Sequence, residues 1–225
     1  MKKLISLLLL CSFLWLGAGR AQAEITAGTA MISGYFGWGL PLQTSRTKVQ
    51  GDTLDWGDGG ALLGASLLTF PTPHVGLGVA IAGTGCQDSE VGMWGPYGSG
   101  LRYEYKTSMA LFDAMFIGRF NLNPRDSLRF YVPWGVGLTS ARGEYKMTGY
   151  MLDMRFYEET HHGYTSSLGW YAGLGAELEL DSLVGGLEMR YQAFEFDKSH
   201  FGIDGYSGRE HYSYLSLLLS IGYKF

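Results

Sequence analysis

Cysteine is nearly absent from this chain, with only Cys11 and Cys86 among its 225 residues. Because Cys11 lies in a segment predicted to be removed, an internal disulfide and a cysteine metal site are both excluded from the mature chain. Charged residues are scarce as well, at 17%. No later segment contains 18 continuous apolar residues, which excludes a membrane-spanning helix. A phosphate-binding glycine loop and a G-x-S-x-G nucleophile turn are also missing.

Residues 1–23 are predicted to be a secretory signal peptide. Two lysines precede a short apolar run over residues 4–16, and an A-x-A cleavage site ends at Ala23. Cleavage leaves residues 24–225 as one predicted domain. It removes three basic residues and no acidic one, so the net charge changes from −4 to −7. Because an acidic chain lacks the basic face that phosphate binding needs, we expect no nucleic-acid partner.

Alternation of apolar and polar residues is the main pattern of the mature chain. In the last stretch, 211–225, every second residue from Leu215 to Phe225 is large and apolar, and most residues between them are small or polar. A period of two indicates a β-strand with one apolar and one polar face. Seven further stretches alternate in the same way, at about 27–40, 59–70, 75–86, 101–121, 128–142, 164–181 and 184–197.

The connections between these stretches alternate between short and long. Tight turns are predicted at 70–74, 123–126 and 181–183, and long loops at about 41–58, 87–100, 143–163 and 198–209. This pattern is the one expected when both termini lie on the side of the short turns. The sequence therefore predicts an all-β fold, an eight-stranded antiparallel up-and-down transmembrane β-barrel. Ten strands are the alternative if 143–163 contains an extra hairpin.

The C-terminal stretch also resembles the closing strand of small Gram-negative outer-membrane barrels, the OmpA-like, OmpX-like, OmpW-like and opacity-type proteins. The resemblance implies an assembly signal formed by Phe225, Tyr223, Ile221 and Leu219, which the barrel assembly machinery recognises. It further implies a monomer in the cell outer membrane, in contact with outer-membrane lipids and lipopolysaccharide. A host or surface ligand would then bind through the long loops.

Six charged residues occupy the polar faces of the predicted strands: Arg119, Arg129, Glu177, Glu179, Glu188 and Arg190. An eight-stranded barrel has an interior just wide enough for its own side chains. Because an isolated buried charge is very costly, these groups must pair with one another. We therefore predict an interior ion-pair plug. The alternative is a gated conduction path or proton relay through the same groups, which needs a wider interior.

The segment His211-Tyr212-Ser213 resembles the H-x-S core of the lipid A 3-O-deacylases, which are also eight-stranded outer-membrane barrels. That resemblance implies an acyl-ester nucleophile at Ser213, activated by His211. Glu195, on the preceding strand with the same parity, is a candidate to orient the histidine. The chain departs from the family pattern because Tyr214 replaces an Asn, no acidic residue follows Ser213, and the motif lies one strand later. These departures favour a solvated surface segment, and no catalytic residue is predicted.

A predicted loop contains Glu158, Glu159, His161 and His162, which are residue types that bind zinc. One local cluster of this kind is more typical of hydrophilic loop surface, so we predict neither a metal nor a cofactor. Six aromatic residues in or beside loops are typical of an interfacial girdle, although exposed aromatics also form binding hot spots. They are Trp94, Tyr97, Tyr150, Phe156, Tyr157 and Tyr164.

The predicted function is non-enzymatic. The chain is expected to be an integral envelope protein that stabilises the outer membrane or contacts other surfaces through its loops, as in adhesion or immune evasion. One alternative is lipid A ester hydrolysis at His211 and Ser213. Another is a narrow channel for small hydrophobic solutes, which the OmpW-like resemblance suggests.

Overall fold

The computed structural model describes residues 24–43, 46–49, 52–55, 59–86, 89–94, 100–197 and 209–225. The predicted signal peptide, residues 1–23, lies outside these ranges. All regular secondary structure within them is β-strand. No helix among the described residues is long and apolar enough to cross a membrane.

Eight long strands form a closed antiparallel ring, as the sequence predicted. Each strand pairs with its neighbours in chain order, β1 pairs with β11, and a ladder between β5 and β7 completes the circle. The ring contains β1 (Ala30–Gln43), β4 (Gly60–Thr72), β5 (Val75–Cys86), β7 (Leu101–Asn121), β8 (Leu128–Met151), β9 (Met154–Leu180), β10 (Leu183–Asp197) and β11 (Arg209–Lys224). Three short strands lie outside it: β2 (Arg46–Val49), β3 (Asp52–Asp55) and β6 (Ser89–Trp94).

The register of the strand pairs determines the size of the barrel. A path of paired residues that leaves β1 at Met31 returns to β1 at Pro41, so the shear number is ten. Eight strands with this shear tilt by about 40° and enclose a radius of about 8 Å. The path runs through residues that all face the interior: Met31, Leu68, Gly78, Ile117, Gly135, Tyr171, Gln192, Tyr214 and Pro41.

The outer face of the ring is an apolar belt. Its large side chains are roughly half exposed or more, whereas a soluble monomer rarely shows an apolar patch of this extent. A belt of outward apolar residues that alternate with an inward polar set is the surface that a transmembrane barrel presents to lipid. Members of the belt include Ile32, Phe36, Leu63, Val79, Ile81, Phe112, Phe116, Val136, Leu138, Leu168, Trp170, Leu174, Leu187, Leu217 and Ile221.

The region 143–163 is not a loop, which corrects the prediction. Strands β8 and β9 continue through it as one long hairpin, with paired residues from Leu128 and Leu178 to Met151 and Met154. The hairpin ends in a two-residue turn at Leu152 and Asp153, whose φ angles are 48° and 64°. Positive φ at both positions matches the twist of the flanking strands. The hairpin lengthens two strands of the ring and adds none, so the described ring has eight strands and not ten.

Two other predicted loops also contain strands. The region 41–58 includes the β2–β3 hairpin, and β6 in the region 87–100 pairs with the outer part of β7. Strands β6 to β9 therefore continue beyond the barrel as a four-stranded sheet, which we call the protruding sheet. We call the barrel end that carries it the loop end. The opposite end, with the three short turns, is the turn end.

Residues 24–29, which precede β1, close the turn end. Ile25 is only 1% exposed and packs with Phe70 in the apolar cluster near the turn end. Its amide donates a hydrogen bond to the carbonyl of Pro124, at 3.3 Å. Nζ of Lys224 donates to the carbonyl of Glu24, also at 3.3 Å. The segment before β1 therefore covers the barrel mouth from below, a feature that the alternation pattern did not predict.

Candidate functional site

Glu177 is the centre of the charged network in the half of the barrel nearer the turn end. It lies on β9, opposite Arg129 of β8, and both side chains face inward. Nη1 and Nη2 of Arg119 each donate to one Glu177 oxygen at 2.6 Å, and Nε of Arg129 donates to Oε1 at 2.8 Å. The three side chains are at most 4% exposed. Bidentate pairing of this kind compensates for the loss of water around the charges.

Glu179 extends the network toward the turn end. It forms ion pairs with Arg129 and with Lys224, so Arg129 bridges the two glutamates. On the other side, Nε of Arg119 donates to Oδ1 of Asn121 at 2.8 Å, and Asn121 donates to the carbonyl of Pro73 at 2.8 Å. The network thus connects β7, β8, β9 and β11 with the turn between β4 and β5.

Arg190 and Glu188 form a second charged group, nearer the middle of the barrel. Nε and Nη2 of Arg190 both lie 2.8 Å from Oε1 of Glu188. The guanidinium carbon is 4.0 Å from the ring centroid of Tyr171 and 5.1 Å from that of Tyr35. Tyr131 donates a hydrogen bond to Oε2 of Glu188 at 3.2 Å. Aromatic faces and one carboxylate therefore replace the hydration shell of this buried cation.

Three inward tyrosines are held in place by glycines on neighbouring strands. Tyr35 lies opposite Gly64, Tyr131 opposite Gly175, and Tyr171 opposite Gly135. A Cβ atom added to any of these glycines would lie 2.2–2.4 Å from the facing ring. The ring can lie over its partner strand only because the side chain there is a hydrogen atom. The glycines thus place the rings that surround Arg190 and Arg119.

The structure brings all six predicted interior residues into these two groups and adds two residues that the sequence argument left out. Lys224 pairs with Glu179, and Asp113 accepts a hydrogen bond from Thr139 at 2.6 Å. Both stand at polar-face positions of their strands, so the alternation was the signal that could have identified them. With these two, the named interior groups carry four positive and four negative charges: Arg119, Arg129, Arg190 and Lys224, with Asp113, Glu177, Glu179 and Glu188.

Side chains fill most of the remaining interior. A cavity of about 50 Å³ lies between the two charged groups, which is room for one or two water molecules. Toward the loop end, an apolar cluster that includes Leu62, Leu111, Phe194 and Tyr212 occupies the barrel. Toward the turn end, Ile25 and its neighbours occupy it. The described interior is therefore packed both above and below the charged groups.

The three residues of the hydrolase alternative share the outer face but do not form a catalytic arrangement. Glu195 is the cross-strand partner of His211, and both are exposed. Ser213 faces the same way but is only 3% exposed. It is therefore not solvated, which contradicts the prediction of a solvated surface segment. Within the described part of the chain, no hydrogen bond joins Ser213 to His211. An activated serine needs such a contact and access for its ester substrate.

The histidines and glutamates of the β8–β9 hairpin do not converge on one point. Adjacent strand residues project to opposite faces, so His161 contacts Glu159 at 2.9 Å while His162 contacts Glu144 at 3.6 Å. A hydrogen bond from Tyr157 lowers the pKa of Glu159, with a further contribution from His161. Among the described residues, no group of three or more such side chains is arranged to hold a metal ion.

The four residues of the predicted assembly signal lie in a row on the outer face of β11. Leu219, Ile221, Tyr223 and Phe225 are all exposed, by 46–67%. The backbone N and O atoms of Phe225 each bond to Ala30 at 2.9 Å. Its ring contacts Tyr223, with a centroid distance of 6.4 Å. The Phe225 side chain therefore adds little to barrel packing and remains available on the surface.

No protein-family model matches the sequence, and no curated protein matches it either. Solved structures with a similar fold are small outer-membrane barrels. The N-terminal β-barrel domain of OprF from Pseudomonas aeruginosa is 13% identical, with 89% of this chain and 100% of that chain covered and a TM-score of 0.42. The attachment invasion locus protein Ail of Yersinia pestis, in complex with the heparin analogue sucrose octasulfate, is 14% identical, with 89% and 100% covered and a TM-score of 0.40. Neisserial surface protein A is 9% identical, with 90% and 100% covered and a TM-score of 0.40. At these identities the likeness extends to the fold alone.

Proposed function

We propose that this protein is an integral outer-membrane barrel that acts without catalysis, by presenting the protruding sheet to partners outside the cell. The apolar belt supports the membrane placement, because lipid is the environment in which so much exposed apolar surface is stable. The predicted export signal and the short connections at the turn end support an orientation with the loop end outside. The packed, charge-balanced interior favours an anchor over a pore.

The length of the β8–β9 hairpin is the observation that carries this proposal. A membrane-spanning strand needs roughly ten residues, whereas β8 has 24 and β9 has 27. The belt on these strands ends at Leu138 and Leu168, and the pairing then continues from Ser140 to Met151. At roughly 3.3 Å per residue, this part of the hairpin is about 40 Å long. A paired sheet of that length is a rigid platform and not a mobile loop.

The tip of the hairpin is apolar, which is unusual for a water-exposed turn. Leu152 is 72% exposed, Met154 is 69% exposed and Phe156 is 54% exposed. Exposed apolar groups concentrated at one projecting point mark an interaction surface. The charges next to the tip largely satisfy one another, since Glu158 pairs with Arg155 at 2.5 Å and with Lys146 at 3.3 Å. The tip is therefore the part of the sheet that gains most from contact with a partner protein.

The test is the triple variant Leu152→Ser, Met154→Ser, Phe156→Ser, expressed on intact cells at the wild-type surface level. We expect attachment to epithelial monolayers, or retention of serum complement regulators, to fall to the level of a deletion strain. The matched control is Leu122→Ser, which removes an exposed apolar side chain at the turn end and should change neither. Undiminished attachment and retention by the triple variant would show that the tip is not the contact surface.

The same strains test the alternatives. Mass spectrometry of lipopolysaccharide should show no acyl-chain loss that depends on the protein, because Ser213 is buried and does not contact His211. A deletion strain that is sensitive to detergent but attaches normally would instead support the purely structural envelope role.

A further inference from the structure

The barrel wall divides on the side where β9 and β10 meet. Their described pairing ends at Gly169 and Phe194. Beyond this point β9 continues with β8 alone, and β10 continues with β11 as far as Asp197 and Arg209. A cleft of about 580 Å³ lies between the two diverging strands. This volume falls within the range of small-molecule binding sites, roughly 300–1,000 Å³.

The lining of the cleft is rich in hydrogen-bonding groups of both kinds. The β9 side contributes the hydroxyls of Thr165, Ser166 and Ser167. Oγ of Ser167 is buried, and within the described part of the chain it has no hydrogen-bond partner. A solvent-inaccessible atom does not reach a ligand in the cleft, so the exposed Ser166 is the hydroxyl of this row that such a ligand would contact.

The opposite side of the cleft carries charged residues of both signs. Glu195 stands opposite His211, and Asp197 stands opposite Arg209, all on the outer face. Among the described lining residues, two carboxylates face one permanent cation, which disfavours a phosphate or another anion. Alternating acceptors and donors suit a ligand with many uncharged hydroxyl groups. A saccharide has that chemistry.

The position of the cleft indicates the source of the saccharide. Leu168 and Trp170 line its lower edge and belong to the apolar belt, with exposures of 69% and 46%. The Trp170 ring lies 5.5 Å from that of Tyr191, which gives an aromatic surface directly below the polar groups. A molecule with its sugar in the cleft would therefore have its remaining part against the belt. An amphiphile matches both surfaces.

We propose that the cleft between β9 and β10 binds the uncharged saccharide part of a glycolipid whose acyl chains lie against Leu168 and Trp170. This inference rests on the proposed membrane placement of the barrel. Carboxylates of Glu195 and Asp197 accept hydrogen bonds from sugar hydroxyls, and the exposed hydroxyl of Ser166 contributes a further polar contact. The site is distinct from the protruding sheet and from the charged interior.

The experiment compares the lipids that the full mature chain retains. The protein is inserted into phosphatidylcholine nanodiscs that contain digalactosyl diacylglycerol and phosphatidic acid in equal mole fraction, and native mass spectrometry identifies the lipids bound after release. We expect the galactolipid to be retained about tenfold over phosphatidic acid and phosphatidylcholine. The variant Ser166→Ala should reduce the preference about threefold, and Glu195→Gln with Asp197→Asn about tenfold. Glu144→Gln, which removes an outer-face carboxylate that does not line the cleft, should leave it unchanged.

Several outcomes would overturn the proposal. They are equal retention of the three lipids, a preference for phosphatidic acid, and a preference that survives the cleft variants in protein that still shows heat-modifiable folding. Equally tight binding of free digalactose would show a site for soluble sugars and remove the glycolipid assignment. A chain that does not enter the nanodisc at all would contradict the membrane placement itself, which separates the two failures.

Discussion

Replacing Glu177 by Gln is expected to lower the free energy of unfolding by about 3–5 kcal/mol. Glu177 accepts three charge-assisted hydrogen bonds from two arginines, at 2.6, 2.6 and 2.8 Å, and is 3% exposed. Each such bond contributes roughly 1.5–3 kcal/mol. The Gln carbonyl keeps one acceptor, which limits the loss. The charged network near the turn end would then contain Arg119, Arg129 and Lys224, with Glu179 as its remaining carboxylate.

The measurement is urea unfolding of refolded protein in lipid vesicles, monitored by tryptophan fluorescence. The free energies of unfolding of wild type and variant are compared where the two have the same m-value. A compensated variant sharpens the test. Glu177→Leu combined with Arg119→Met removes one charge of each sign and leaves Arg129 paired with Glu179. The double variant should therefore be more stable than Glu177→Leu alone, because buried ion pairs tolerate joint replacement better than loss of one partner.

The control is Glu144→Gln on the exposed outer face, expected to change stability by less than about 0.5 kcal/mol. If Glu177→Gln stayed within about 1 kcal/mol of this control, Glu177 would not be paired in a water-excluded interior. A double variant as unstable as the single one would show that packing, and not charge, causes the loss.

Three further predictions concern assembly, the belt and conduction. Phe225→Asp keeps both backbone bonds to Ala30 and should leave stability in vesicles unchanged. Heat-modifiable protein in cell membranes should fall sharply if Phe225 is part of the proposed assembly signal. Leu174→Arg in the belt should destabilise the barrel by about 2–4 kcal/mol, whereas Thr160→Arg, an outward position of the protruding sheet, should cost at most about 1 kcal/mol. In planar bilayers the wild type should show no steady porin-sized conductance, because side chains fill the interior around a cavity of about 50 Å³.

Each of these predictions has an outcome that contradicts it. Normal membrane levels of the Phe225→Asp protein would remove the assembly role of that side chain. Equal losses from Leu174→Arg and Thr160→Arg in urea unfolding would mean that the belt is wrongly placed. Large, stable, salt-dependent conductance of the wild type would bring the channel alternative to first place.

The barrel could be predicted because its physical cause is local. A strand exposes alternate residues to opposite environments, so each ring strand carries its own two-residue period and needs no knowledge of its partners. The bounds of β7, Leu101–Asn121, agree with the predicted stretch 101–121. The inward positions of the six charges were predicted in the same way, from parity and the cost of burying charge.

The β8–β9 hairpin was missed for a related reason. Its outer part carries polar and charged residues on both faces, such as Glu158 and Glu159, because both faces of a protruding sheet contact water. Without a buried face the two-residue period disappears, and polar strand looks like loop. The turn at Leu152 and Asp153 also lacks the glycine or asparagine that usually marks such a hairpin.

The sequence by itself determined the strand number, the apolar belt and the charged character of the interior, since these follow from alternation and from the cost of exposing apolar or burying charged groups. Only the tertiary structure decided which charges meet, such as Arg119 and Arg129 on Glu177, because register and shear align residues that are 48 and 58 positions apart. It also decided that β9 and β10 separate beyond Gly169, because pairing between strands depends on where each neighbour continues, and no single strand encodes that.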